Sequence, residues 1–393
     1  MNSSRLNTVL GAIALAAWAV AWPAAAADKV KVALVSTLSG PQALLGKHQS
    51  DGFMLAVKEL GGKFGGIPAE VTQNDDQFKP DVARQLAEKL VKKDQVDIVT
   101  GLLFSNVLLA MYNTLVDSKT ILISSNAGAS QMAGKMCSPY FFSSAWQTDQ
   151  APAAVGKYVE QSGVKRVFII ASNYQAGQDA ATGFKRGFKG QVVQEVYPPL
   201  TQPDFSAEIS QIAALKPDAV FAFVAGSPAI NFVKQYAASG LKKDIPLFSA
   251  FTVYGPYLET IGEAALGARS AGAWTADLDT PANKRFVEAF RKEYGYVPSN
   301  ISAQAYDAAK LIDAAVKQVG GKVEDRDALV KALAEVKYDS VRGSIRYGKN
   351  HFPIQNFYAT EVARLPDGKL IESMKGVLVK DDVDPYAAEC PMK

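Results

Sequence analysis

The segment from Val96 to Gly128 constrains the fold more than any other part of the chain. It contains a buried strand at Val96–Thr100, a break at Gly101, a helix that begins near Ser105 and a second buried strand at Ile121–Ile123. A strand, a helix and a strand in succession predict parallel strands joined by a right-handed crossover. The chain is therefore expected to form an open α/β sheet, which binds ligands at the carboxyl ends of its strands.

Two loops of this segment are candidates for such a site. Ser105 and Asn106 can cap the helix, and Ser125–Gly128 is a loop of small and polar residues after the next strand. Both loops are expected to present free backbone N–H groups, and a helix N-terminus attracts anions. The working hypothesis is a carboxylate site. Because serine is a common helix cap, the segment alone favours an ordinary strand–helix–strand unit.

Alternating strands and helices recur in two blocks, residues 30–143 and 166–273, which predict two doubly wound lobes with parallel sheets. After them come helices without strands between them, which indicate a return to the first lobe: Pro281–Tyr294, Ser299–Val319 and Arg326–Val336. Two strands, Asn356–Arg364 and Leu370–Val379, close the chain around a Pro-Asp-Gly turn.

The first 27 residues have the pattern of a cleaved signal peptide. Arg5 is followed by an apolar run at Val9–Val20, and Ala25-Ala26-Ala27 stands before Asp28. A membrane anchor is the alternative, but the run is rich in alanine and small residues follow it. The mature chain is therefore expected to be soluble and periplasmic.

Charge and rare residues exclude several classes of protein. There are 42 basic and 39 acidic residues, a net charge of +3, which gives no electrostatic case for nucleic-acid binding. Cys137 and Cys390 are expected to form one disulfide in an oxidising compartment, with two buried thiols as the alternative. His48 and His351 are the only histidines and no CxxC occurs, so neither a metal site nor a cofactor is expected.

The sequence also lacks the usual catalytic motifs. It has no GxxxxGK[ST], no GxGxxG after a strand and no GxSxG. Neither histidine stands beside an evident nucleophile. A two-lobed exported α/β protein of this kind is expected to be a binding protein, not an enzyme, with its ligand in the cleft.

At this point the chain resembles a known family, the periplasmic solute-binding proteins of ABC transporters of the Leu/Ile/Val-binding type. The resemblance covers nearly the whole mature chain and rests on five segments: VKVALVSTLSGPQALLGKHQSDGFMLAV at Val30–Val57, VDIVTGLLFSNVLLAM at Val96–Met111, ILISSNAG at Ile121–Gly128, ASNYQAGQDAATGFKRGF at Ala171–Phe188 and SAQAYDAAKLI at Ser302–Ile312.

The resemblance implies two Rossmann-like lobes joined by a three-stranded hinge, the type I periplasmic binding protein fold. It places the crossovers near Trp146, Trp274 and Asn350. Residues 1–27 are then the signal peptide, residues 28–146 and 275–350 the first lobe, and residues 147–274 and 351–393 the second.

In the amino-acid-binding members, a serine after the third strand and a small-residue loop after the fourth hold the ligand carboxylate. Here these positions are Ser105 and Asn126, Ala127 and Gly128. The family pattern therefore supports the carboxylate hypothesis for these two loops.

Four other positions depart from the amino-acid site. The acidic partner of the α-ammonium group falls on Phe251, and three tyrosines fall on Leu45, Ala176 and Ala225, with Tyr174 two residues before Ala176. A buried ammonium without its carboxylate would cost several kcal/mol. The departures therefore favour a ligand with a carboxylate and an apolar, aromatic body.

The chain is also similar to the aromatic-acid subgroup of this family, through ISSNAG, CSPYFFSSAWQTDQ and NYQAGQD. The residues expected to line the ligand body are Leu45, Phe104, Trp146, Tyr174, Phe251 and Tyr254. Plain packing explains Trp146 and Phe104 equally well.

The expected function is the binding of a benzoate, hydroxybenzoate or phenylpropanoid acid and its delivery to an ABC permease of the inner membrane. The protein is expected to act as a monomer and without nucleic acid. The alternatives are a branched-chain or other hydrophobic amino-acid binder of the same family, a ligand-sensing regulator of the same fold and an exported α/β enzyme.

Overall fold

The structure is a computed structural model that describes residues 28–335 and 337–392. The predicted signal peptide, residues 1–27, lies outside the described residues, as does Val336 at the end of the last predicted helix.

The described chain alternates strands and helices as predicted. The strands are β1 (Val30–Ser36), β2 (Lys63–Phe64), β3 (Ile67–Asp75), β4 (Ile98–Gly101), β5 (Ile121–Ser124), β6 (Phe141–Ser143), β7 (Arg166–Ala171), β8 (Gln191–Val196), β9 (Ala219–Phe223), β10 (Leu247–Ser249), β11 (Arg269–Gly272), β12 (Arg346–Tyr347), β13 (Pro353–Arg364) and β14 (Leu370–Asp382). The helices are α1 (Ala43–Glu59), α2 (Pro80–Lys89), α3 (Ser105–Asp117), α4 (Ser130–Ala133), α5 (Gln150–Gln161), α6 (Gln175–Gly187), α7 (Ser206–Leu215), α8 (Ser227–Ala238), α9 (Gly255–Ile261), α10 (Pro281–Tyr294), α11 (Asn300–Gln318) and α12 (Arg326–Glu335).

The first sheet has the order β2-β3-β1-β4-β5-β6. Every pair except the β2–β3 hairpin is parallel. The interior strands β4 and β5 are buried along their whole length, as expected of parallel strands covered on both faces. Their carboxyl ends carry the two loops that were predicted to form the site.

The helices after the second block pack on the first sheet. Phe286 of α10 and Ala305 of α11 share a buried core with Val32 of β1 and Phe53 of α1. Helices α1 and α11 approach so closely that a Cβ on Gly52 would lie 2.1 Å from the backbone oxygen of Ser302. The run of helices therefore has no strands of its own because it covers a sheet formed earlier in the chain.

The second sheet has the order β12-β13-β11-β10-β9-β7-β8, and β14 pairs with β13. Strands β8, β7, β9, β10 and β11 are parallel, and the closing strand β13 runs antiparallel to β11. Together the two sheets and their helices make two α/β lobes, which confirms the predicted fold class. The short strand β12 falls in the range that the predicted division gave to the first lobe, although it pairs with β13.

A buried ion pair fixes the place where the chain passes between the sheets. The guanidinium group of Arg342 donates to the Asp307 carboxylate at 2.8 Å and to the backbone oxygens of Ser144 and Ala145 at 2.5 and 2.9 Å. Both charged side chains are at most 1% exposed. The first crossover is thereby tied to helix α11.

The predicted disulfide between Cys137 and Cys390 is confirmed. It joins the chain after α4 to the C-terminal tail, which lies over the first crossover. The Tyr386 hydroxyl donates to Asp149 at 3.0 Å, and the Lys349 ammonium donates to the backbone oxygen of Cys390 at 3.0 Å. The tail therefore connects parts of the chain that belong to different sheets.

Candidate functional site

A cavity lies where the carboxyl ends of the two sheets face each other. It encloses about 490 Å³, including the part that opens to solvent. Loop residues after the strands of both sheets form its wall: Leu45, Leu103, Phe104, Ser105, Asn126, Ala127, Trp146, Thr148, Tyr174, Ala176, Phe223, Ala225, Gly226, Phe251 and Tyr254.

The start of helix α3 forms one wall of the cavity. Phe104 is the residue before the helix, and its side chain makes no capping hydrogen bond. The prediction that Ser105 and Asn106 cap the helix is therefore wrong: Ser105 is already the first helical residue, because Phe104 has the extended backbone of an N-cap. Its hydroxyl makes no hydrogen bond to any other residue of the described chain, so it is available to a ligand.

The neighbouring small-residue loop uses part of its own hydrogen-bonding capacity. The backbone N–H of Ser125 donates to the backbone oxygen of Gly101 at 2.8 Å, and that of Ala127 donates to the backbone oxygen of Leu102 at 3.0 Å. The prediction of a wholly free set of N–H groups is therefore wrong for these two residues. Within the described residues, the N–H groups of Asn126 and Gly128 make no such bond, while the Asn126 side-chain amide donates to Leu103 at 2.7 Å.

Left-handed backbone shapes both walls. Gly101 (φ +106°) and Leu102 (φ +63°) turn the chain after β4, and Phe251 (φ +58°) does the same after β10. A large side chain rarely adopts this conformation. Such strain persists where surrounding contacts fix the residue and is concentrated at functional sites.

Aromatic rings fix Phe251 and form the second wall. Trp146 stacks on Phe251 with ring centroids 4.4 Å apart, and Phe223 meets Phe251 edge to face at 5.9 Å. Tyr254 also meets it edge to face, at 6.3 Å. This group presents a continuous aromatic surface to the cavity.

None of the described charged side chains lines the cavity. Its polar groups are hydroxyls and amides. One of these residues is Thr148, which is 4% exposed and whose backbone N–H donates to the backbone oxygen of Gly128 at 2.8 Å. Burial raises the pKa of Tyr174 and Tyr254 above that of a free tyrosine, so both phenols are neutral near pH 7. A bound anion would therefore be held by neutral donors and by the positive end of helix α3.

The two walls are also joined directly beside the cavity. The backbone N–H and the hydroxyl of Ser130 donate to the Asp179 carboxyl group of α6 at 3.1 and 2.8 Å. A Cβ on Gly226 would lie about 2.1 Å from the side-chain amide of Gln42, which shows how closely the opposite loops approach. The conformation is closed.

The structure brings together all the predicted ligand-binding residues except Gly128, which lies beside the cavity rather than on its surface. A Cβ at Gly128 would lie 2.1 Å from the backbone oxygen of Trp146, so its small size serves the packing of the loop. The binding role of these residues remains a prediction.

Four lining residues escaped the sequence reasoning: Leu103, Thr148, Phe223 and Gly226. Each stands within two residues of a predicted site residue, at a strand end or in the first crossover. Their closeness to predicted site residues was the sequence signal that could have found them. Which side chain of a loop faces the cavity depends on the backbone angles of that loop, and the sequence does not give those angles.

Among the described residues, no group of histidine, cysteine or acidic side chains is arranged to hold a metal ion. No helix in the described part of the chain is long and apolar enough to cross a membrane.

A family model described as periplasmic binding protein matches residues 29–369. A Leu/Ile/Val-binding protein homologue of Brucella suis is 33% identical over 366 residues, which cover 90% of this chain and 93% of the relative. The chain belongs to the periplasmic binding protein family, and the resemblance to its Leu/Ile/Val-binding type is confirmed.

Two solved structures match most of the chain. A solute-binding protein of an ABC transporter from R. palustris, in complex with benzoate, has a TM-score of 0.87 and 33% identity, covering 93% of this chain and all of that one. A second, from Rhodopseudomonas palustris BisB5 in complex with 3,4-dihydroxybenzoic acid, has a TM-score of 0.86 and 32% identity, covering 91% and 99%.

Proposed function

We propose that this chain is the solute-binding component of an ABC importer and that it holds a small aromatic carboxylate in the cavity between its lobes. The observation that carries the proposal is the composition of the cavity wall. Stacked aromatic rings form one side, a helix N-terminus with a free serine hydroxyl forms the other, and no charged side chain of the described chain lies between them. Benzoate and hydroxybenzoate types, and phenylpropanoid acids, have the matching shape and charge.

The carboxylate is assigned to the first-lobe wall. Helix α3 has 13 residues, so its N-terminus carries the partial positive charge of a full helix. The Ser105 hydroxyl and the N–H group of Asn126 add neutral donors, and Thr148 lines the same part of the cavity. Hydrogen bonds to a charged acceptor are about twice as strong as those between neutral groups.

The ring is assigned to the opposite wall. Trp146 and Phe223 each pack against Phe251, with ring centroids 4.4 and 5.9 Å from its ring, so the three rings form one supported surface. Aromatic pairs contribute about 0.5–1.5 kcal/mol beyond the area they bury. Leu45 and Ala176, 4% and 5% exposed, complete an apolar surface.

An α-amino acid fits this wall less well. Phe251 stands where the family's amino-acid binders have their acidic partner, and within the described residues no carboxylate lines the cavity to replace it. An ammonium group would lie in the cavity unpaired, at a cost of several kcal/mol. The two solved relatives that hold benzoate and 3,4-dihydroxybenzoate support the same choice.

The family and the closed conformation support delivery of the ligand to a permease. The hydrogen bonds of Ser130 with Asp179 join the two lobes in the closed form, and a permease can distinguish a closed form from an open one. Export through cleavage after residue 27 and action as a monomer complete the proposal.

Isothermal titration of the mature protein tests the ligand class. Benzoate, 4-hydroxybenzoate and cinnamate are compared with leucine, valine and phenylalanine, and tight ligands are also expected to raise the melting temperature. At least one aromatic acid should bind at micromolar concentration or below. If leucine or valine bound tightly and none of the aromatic acids bound, the proposal would be rejected.

Two variants test the assignment of the walls. Ser105→Ala should weaken binding of the aromatic acid by about tenfold to hundredfold, the loss of one hydrogen bond to a charged group of about 1.5–3 kcal/mol. Phe251→Glu should abolish it, since a second carboxylate would lie against the ring. Ser210→Ala, on the exposed face of α7, is the matched control and should bind as the unchanged protein does.

A further inference from the structure

We infer that the second-lobe end of the cavity is a polar subsite for a ring hydroxyl, formed by Tyr174 and Tyr254, so that the chain prefers hydroxylated aromatic acids. The inference rests on the proposed function and deepens it: it assigns a second polar group to the ligand, at the end of the ring away from the carboxylate.

Tyr254 supplies the first observation. Its side chain lines the cavity and is only 5% exposed. Its hydroxyl makes no hydrogen bond to any residue in the described chain, so it is free to bond a polar group inside the cavity. A hydroxyl left in that state at the surface of a ligand cavity is matched by a polar group of the ligand.

Two further tyrosines extend this end of the cavity. Tyr174 lines it from the residue before α6, and its hydroxyl is likewise unpaired within the described residues. Tyr257 stands behind Tyr254, edge to face with ring centroids 5.4 Å apart, and its buried hydroxyl has no partner among the described residues. Three phenols with unmet hydrogen bonds thus lie together in the second lobe.

The charge of the surroundings selects a hydroxyl over a carboxylate for this end. The Asp179 carboxyl group, which accepts hydrogen bonds from Ser130 and Gln175, adds to the rise in the pKa of Tyr174, so an acidic group lies near that phenol. An anionic ligand group would be repelled there. A phenolic hydroxyl is neutral, and it can donate to one tyrosine while accepting from the other.

The distribution of polar groups across the cavity agrees with this assignment. The first-lobe wall offers the N-terminus of a 13-residue helix and the free hydroxyl of Ser105, which suit an anion. Helix α6 begins at the other wall, but Asp179 lies in its second turn and offsets the positive end. A ligand with a carboxylate at one end and a hydroxyl at the other satisfies both walls.

Titration of matched ring compounds tests the subsite. Benzoate, 4-methylbenzoate, 3-hydroxybenzoate and 4-hydroxybenzoate differ by one small substituent, so the methyl compound controls for size. At least one of the two hydroxy acids should bind ten times or more tightly than 4-methylbenzoate. In Tyr254→Phe or Tyr174→Phe this ratio should fall at least fivefold. Tyr294→Phe, whose ring lies outside the cavity wall, is the control and should leave the ratio unchanged.

The outcomes separate this inference from the function on which it rests. Equal affinity for the hydroxy and methyl compounds overturns the subsite and leaves aromatic-acid binding in place. A hydroxyl preference that survives both phenylalanine substitutions overturns its assignment to these tyrosines. Failure of every aromatic acid to bind overturns the proposed function, and the subsite with it.

Discussion

The disulfide between Cys137 and Cys390 makes a strong prediction about stability. The two residues are 253 positions apart in the chain. In the chain-entropy model, closing a loop of that length lowers the entropy of the unfolded state by about 19 cal/mol/K, or about 5.5 kcal/mol at 25 °C. Residual compactness of the unfolded chain reduces the effect, so this figure is an upper estimate.

The expected change in melting temperature follows from the size of the protein. A chain of this length gains about 0.8 kcal/mol/K of entropy on unfolding. If both lobes unfold together, the Cys137→Ser/Cys390→Ser variant should therefore melt about 5–7 °C lower than the unchanged protein. The native contacts of the tail, such as Tyr386 with Asp149, are separate from the disulfide and should persist.

Differential scanning calorimetry with and without reductant provides the measurement. Reductant should lower the melting temperature of the unchanged protein toward that of the double serine variant, and it should not affect the variant itself. A double variant that melts within about 1 °C of the unchanged protein would refute the reasoning, because the disulfide would then not lower the conformational entropy of the unfolded chain.

One further perturbation probes a contact between the lobes, and another probes the buried ion pair at the first crossover. Asp179→Ala removes two hydrogen bonds that Ser130 donates across the cleft, worth about 1–3 kcal/mol together. By titration, the ligand should therefore bind about five- to 150-fold more weakly, and it should dissociate faster. The exposed Asp117→Ala is the control, and an unchanged dissociation rate in Asp179→Ala would mean that the contact does not stabilise the closed form. Arg342→Met leaves the Asp307 carboxylate buried without its partner, so the free energy of unfolding measured in urea should fall by about 3–5 kcal/mol. Replacing Asp307 by leucine as well should restore a large part of that loss. Equal instability of the single and double variants would contradict this account.

The fold could be predicted from the sequence because its main signal is local. Strands such as β4 and β5 are short, begin with apolar residues and are bounded by turn residues, and this pattern is typical of parallel strands covered by helices. The elements that sequence reasoning missed, such as α4 and α9, have four and seven residues. Helical periodicity needs longer segments to be recognised.

The candidate site could be predicted only as a set of loops. Strand ends of parallel sheets meet at one edge, so the sequence was enough to place Ser105 and Phe251 at the cavity. The hydrogen bonds of the loop amides could not be predicted, because the Ala127 N–H reaches Leu102 on a neighbouring loop. Thr148 was missed for the same reason, since its position depends on contact with Gly128 and not on a pattern of its own.

Phe251 shows how specificity and closure can depend on the same residue. Its left-handed backbone directs the ring to a place where it stacks on Trp146, in the first crossover, and meets Phe223 at the end of β9. A left-handed residue other than glycine costs roughly 1–2 kcal/mol, and these contacts offset that cost. Trp146 lies where the chain passes from one sheet to the other, so under the proposed function a ligand ring that packs on Phe251 contacts a surface completed by the first crossover. A ligand of the wrong shape would disturb the Phe251–Trp146 stack and with it the closed arrangement, and closure therefore adds a second step of selection to the fit of the ring.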